Sequence, residues 1–132
     1  VRFATAFFSL ALFAGATFSS AELEDHRKWM DDAQDRKDDI REALAAKDRA
    51  KLEVGVKAIE ALTVREQAFW ARTSIQQAKD RAVKNRAEAL DLLRSAKASR
   101  FADAEKAFAQ LEKTCTACHD LHFEKHPSMT AR

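Results

Sequence analysis

Beyond residue 21, apolar residues recur at alternating steps of three and four with almost nothing to interrupt them. That spacing keeps one face of an α-helix apolar, whereas a half-buried strand would alternate every second residue. The 132-residue chain holds two glycines, one proline and no tyrosine. Turn formers are scarce, so an all-β fold with many tight turns is excluded. Alanine, leucine, lysine, arginine and glutamate, the strong helix formers, are abundant. The length suits one domain with one core.

Four helical segments follow from the pattern. In the first, Leu23, His26, Met30, Ala33, Lys37, Ile40 and Leu44 make a heptad-like seam, interrupted by the lysine. Asp48 suits the N-cap of a second helix, whose apolar face runs through Leu52, Val56, Ile59, Leu62, Phe69 and Trp70, with Gly55 as a weak point. Thr73 with Gln76 has the spacing of a capping box for a third helix carrying Ile75, Ala78, Ala82, Ala89, Leu92, Leu93 and Ala96. Ser99 is placed to cap a fourth, stepping through Phe101, Ala104, Phe108, Leu111, Cys115, Cys118 and His122 until Pro127 ends it. Short connections predict an all-α, antiparallel four-helix bundle in up-down-up-down order. No linker, strand signal or second domain interrupts residues 22–132.

Residues 1–21 read as a secretory signal. Arg2 is a minimal basic region, Phe3 to Phe18 is mostly apolar and uncharged, and Ser19-Ser20-Ala21 supplies the small residues a signal peptidase requires. Cleavage is expected after Ala21, leaving a mature chain that starts at Glu22 in the periplasm. The rival is a retained anchor, the only route by which this chain would meet a membrane. About 16 apolar residues are short for a span of roughly 20. The formal net charge of +2 is spread over interspersed charges, so no nucleic-acid partner is indicated.

The chemistry is concentrated in Cys115-Thr116-Ala117-Cys118-His119. This is C-x-x-C-H, the sequence to which c-type haem is attached. Two thiols three positions apart on a helix can reach the two vinyl groups of one porphyrin edge and form thioethers. The adjacent histidine then serves as the proximal iron ligand. These are the only cysteines in the chain. A thioredoxin-like pair would want a βαβ setting. A structural zinc site would want four ligands, and His122 and His126 lie close enough in sequence to keep a haem-free metal-binding bundle open. The reading adopted is one covalent haem c per chain. Export agrees with it, because bacterial haem attachment occurs outside the inner membrane.

The sixth iron position decides what such a haem does. Met30 on the first-helix seam is the leading candidate, because a thioether is a soft ligand suited to haem iron. Methionine at a seam position is also ordinary core filler. His26, one turn earlier on the same face, is the alternative distal ligand. Met129 lies beyond Pro127. Phe69, Trp70, Phe101, Phe108 and Leu111 could wall an apolar haem site.

A helical bundle with C-x-x-C-H on its final helix resembles the class II cytochromes c. The run Cys-Thr-Ala-Cys-His-Asp at 115–120 is similar to that family's characteristic ending, and Trp29-Met30 is the other specific point of likeness. The resemblance implies one of two branches. In the cytochromes c prime a five-coordinate iron binds nitric oxide or carbon monoxide. In the low-spin cytochrome c-556 type a first-helix methionine, here Met30, completes the ligand set and the protein carries electrons. Five-coordinate members often have an arginine four residues after the haem histidine, where this chain has Phe123, and many have an arginine one turn before the distal position, where it has His26. Both departures favour the low-spin branch. They leave Arg27, Lys28 and Lys113 as substitute propionate partners. The expectation is a periplasmic single-electron carrier that is not an enzyme. It would work with redox partner proteins whose identity the sequence does not reveal, and family members often form homodimers.

Overall fold

The computed structural model describes residues 18–122, with side chains through residue 119. Four helices fill nearly all of that span: α1 Ser20–Ala46, α2 Arg49–Ala71, α3 Gln76–Lys97 and α4 Phe101–His122. No strand occurs among the described residues. The fold is the all-helical four-helix bundle that the periodicity predicts. No helix among the described residues is long and apolar enough to cross a membrane.

The first turn of α1 is closed by a capping box. The Ser19 hydroxyl accepts from the Glu22 backbone N–H at 3.1 Å, and the Glu22 carboxylate accepts from the Ser19 N–H at 3.3 Å. Just ahead of the cap, the Phe18 ring stacks on Phe69 at 4.1 Å. The expected cleavage point after Ala21 lies inside this turn, and most of the expected signal segment, residues 1–17, lies outside the described residues.

Two of the three connections turn through left-handed residues that are not glycine. Lys47 has φ 51°, with the Asp48 N–H donating to Ala43 O at 2.9 Å and the Lys47 N–H to Leu44 O at 3.1 Å. Ser99 has φ 55°, with the Arg100 N–H donating to Ser95 O and the Ser99 N–H to Ala96 O, both at 3.0 Å. Both are Schellman closures, which satisfy carbonyls left over at a helix end. Ser99 therefore ends α3 and does not act as the expected cap of α4. Replacing Lys47 or Ser99 by glycine removes a Cβ from a conformation that disfavours one. Each change is expected to raise stability by about 0.5–1 kcal/mol, read as a higher denaturant midpoint at an unchanged slope.

Asp48 caps α2 as its position predicts, its carboxylate accepting from the Lys51 N–H at 3.0 Å. Thr73 does not form the expected capping box. Its hydroxyl donates to Trp70 O at 2.8 Å and accepts from the Ile75 N–H at 3.3 Å, so it closes the end of α2. Ile75 occupies the N-cap of α3 without a side-chain hydrogen bond and packs against the Phe69–Trp70 cluster. Burial of an apolar side chain sets this junction, where sequence spacing alone favours the hydroxyl.

Consecutive helices pack antiparallel. His26 near the start of α1 meets Glu66 near the end of α2, and Arg86 of α3 donates to Gln67 of α2. Thr114 of α4 donates to Glu88 of α3. A large core cluster at one end includes Ile40, Leu44, Leu52, Val56, Leu92 and Phe108. A smaller one at the other end holds Phe69, Trp70, Ala78 and Ala82. Each fully buried large aliphatic contributes about 1.5–3 kcal/mol relative to exposure. Gly55, a weak point by propensity, lies buried against α1, where a Cβ would stand 3.0 Å from Ile40 Cγ1. It trades helix propensity for close approach of two helices.

α1 and α4 touch only sparsely compared with consecutive helices. At the large-cluster end the Arg41–Glu112 ion pair joins them, with the Arg41 guanidinium 5.7 Å from the Phe108 ring centroid. A cavity opens between the two core clusters, lined by Leu111 of one and Trp70 of the other.

Candidate functional site

The cavity has a volume of about 70 Å³ and opens in part to solvent. α1 contributes His26, Met30, Ala33, Gln34 and Lys37, which are successive seam positions with one neighbour. α2 contributes Ile59, Leu62, Thr63, Glu66 and Trp70, and α3 contributes Asn85. α4 supplies Leu111, Cys115 and Cys118 at steps of four and three, then His119. One residue further along a helix turns the side chain by about 100°. His119 consequently sits at the exposed rim while the cysteines are turned further inward. All five residues singled out from the sequence as haem-attachment or iron-ligand candidates line this one cavity.

Both thiols are held in the neutral form. Burial pushes the Cys115 thiol up, opposed by the nearby Lys37 charge and by a hydrogen bond to Asn85, whose Oδ1 accepts from Sγ at 3.7 Å. Cys118 is pushed up to about 12, first by burial and then by the Glu66 charge, with Arg81 opposing. A thioredoxin-type nucleophile needs the opposite shift. A thioether carries no charge and is compatible with this setting. In the haem-free chain, alkylation by iodoacetamide should be slow at neutral pH. For Cys118 it should accelerate only as pH rises above the ordinary thiol value of 9.0 toward 12. Mass spectrometry of the timed reaction checks this, and rapid labelling at pH 7 would contradict it.

The α1–α2 side of the cavity contains a buried polar cluster. His26, Glu66 and Trp70 are 3 %, 8 % and 2 % exposed. Trp70 Nε1 donates to Glu66 Oε2 at 3.0 Å. His26 Nε2 lies 3.1 Å from Oε2 and 2.8 Å from Oε1. One ring nitrogen cannot point at both oxygens, and Oε1 gains proximity without a well-directed hydrogen bond. The His26 ring also stacks on Phe69 at 4.1 Å and meets Trp70 edge-on at 6.0 Å. Met30, one turn along, is half-buried and borders the cavity.

Among the residues suggested as apolar walls, Trp70 and Leu111 line the cavity. Phe101 and Phe108 belong to the large core cluster, and Phe69 backs His26 from the smaller one. Among the propionate candidates, Arg27 pairs with Glu24, and Lys28 and Lys113 are exposed. None of the three lines the cavity, whereas Lys37 does. The interruption of the α1 seam is thus the cation at the site, a signal that was present in the sequence. Glu66 was also missed. Its trace was a carboxylate four residues before Trp70, on the face that carries Ile59 and Leu62.

The side chain of His122, together with Phe123, His126 and Met129, lies outside the described residues. Among the described residues, no group of three or more His, Cys, Asp or Glu side chains is arranged to hold a metal ion. Comparison with models of protein families, with curated proteins and with solved structures found no match.

Proposed function

We propose that this chain is an exported monohaem c-type cytochrome of the class II kind that transfers single electrons. The observation that carries the reading is convergence. Cys115, Cys118 and His119 on α4 share one largely apolar cavity with Met30 on α1. The donor set suits haem c: two neutral thiols for thioether bonds, an imidazole, and a thioether sulfur on another helix.

When bound, haem supplies an iron that accepts and releases one electron. Cys115 and Cys118 would hold it to α4, and His119 would offer a nitrogen and Met30 a sulfur to its iron. Ile59, Leu62, Leu111 and Trp70 would exclude water. Lys37 offers a positive charge to a carboxylate. Met30 is carried on a long helix whose far end is locked by Ile40 and Leu44, both buried. Ligands held on packed helices would stay in place in both oxidation states, which would keep reorganisation small. A Met/His set raises the potential relative to two histidines. Electrons would arrive from and leave to redox partner proteins in the periplasm.

The test is direct. Protein purified from a host that matures c-type cytochromes should be red. The colour should remain with the polypeptide after acid–acetone extraction, and it should become extractable in a Cys115→Ala/Cys118→Ala variant. Its spectrum should be low-spin in both oxidation states. A high-spin ferric spectrum would replace this reading with the gas-binding one. A colourless protein that retains zinc would replace it with a haem-free metal-binding bundle.

A further inference from the structure

His26 and Met30 stand one helical turn apart, and both border the cavity. Imidazole is a good ligand for haem iron, so a chain that presents both needs a reason for the sulfur to win. The structure contains such a reason. His26 Nε2, the nitrogen histidine most readily offers to a metal, lies within 3.1 Å of both Glu66 oxygens. Glu66 is fixed in turn by the Trp70 indole N–H at 3.0 Å. Phe69 stacks on the imidazole face and Trp70 meets it edge-on. The whole group is almost fully buried.

We infer that Glu66 is a positioning residue that holds His26 Nε2 away from the distal site and so selects methionine over histidine as the sixth ligand. The inference rests on the haem reading above. Glu66 acts through His26, and Trp70 sets the angle of its carboxylate. To leave the clamp His26 must give up a charge-assisted contact to a buried carboxylate, and the carboxylate, 8 % exposed, would then lose a partner with little water to replace it. Removing one partner of such a pair is far costlier than keeping it. That penalty favours the unclamped donor, Met30.

Glu66→Leu removes the clamp while keeping an apolar side chain of similar size. In the ferric protein the long-wavelength sulfur-to-iron charge-transfer band should disappear while the haem stays low-spin, and the reduction potential should fall. Adding His26→Leu to that variant should restore the band. Glu66→Gln, which keeps one acceptor oxygen, should retain it. The inference is overturned if Glu66→Leu keeps the band, if it turns high-spin, if the double variant does not recover sulfur ligation, or if the glutamine and leucine variants behave alike. Should Glu66→Leu fail to accumulate, Trp70→Phe loosens the same carboxylate. Partial loss of the band that His26→Leu reverses then supports the inference, and an unchanged band overturns it. A wild-type spectrum that already shows two nitrogen ligands defeats the clamp but leaves haem attachment standing. A colourless wild-type protein defeats both.

Discussion

Under the proposed haem ligation, replacing Met30 by alanine is expected to convert a low-spin protein into a high-spin one. Alanine leaves no donor at that turn of α1. His26, the other donor on the same face, is occupied by Glu66 at 2.8 Å. The ferric protein should lose its sulfur-to-iron band, and the ferrous protein should gain the ability to bind carbon monoxide. Loss of the thioether should also lower the potential, since Met/His ligation is the arrangement that raises it. The fold should survive, because Met30 is only half-buried and lies outside both core clusters. Far-ultraviolet circular dichroism should therefore remain that of a helical protein while the visible spectrum changes. A Met30→Ala spectrum identical to wild type would show that the sulfur is not a ligand.

Leu111→Ala should have the largest effect on stability. Leu111 is fully buried, belongs to the large core cluster and also lines the cavity. Truncation removes four carbons' worth of packing less the one alanine keeps, and the neighbouring cavity gives the surroundings little reason to collapse into the gap. The expected cost is about 2–5 kcal/mol, or about 10 °C or more in Tm for a domain of this size. Thermal unfolding of the haem-free and haem-bound forms checks it. A shift of a degree or two in both would mean that α4 is not packed as described.

These two residues mark how far the sequence could be read. Helix number, order and approximate limits followed from the three-and-four spacing, because that spacing is what burial of one helix face demands. Asp48 was legible as a cap because a carboxylate ahead of an apolar run has a local reason to be there. Thr73 and Ser99 were misplaced. In each case the competing term was a carbonyl at the end of the preceding helix, or an apolar side chain seeking the core, and neither is visible from one residue's own neighbourhood. Lys37 was seen as an interruption and not as a cavity cation. Its environment is made by α4, whose Cys115 lies 78 positions away in sequence.

The sequence by itself determined that this chain is helical, that it has four segments, and that a C-x-x-C-H motif sits on the last of them. Those properties are local, set by periodicity and by adjacent residues. The tertiary structure alone decided which distant side chains share a site. It brought Met30 into the lining of one cavity with Cys115, Cys118 and His119. It also set His26 against Glu66 and Trp70. The physical reason is that antiparallel packing joins residues from opposite ends of the chain, and a hydrogen bond between residues 40 positions apart leaves no periodic trace.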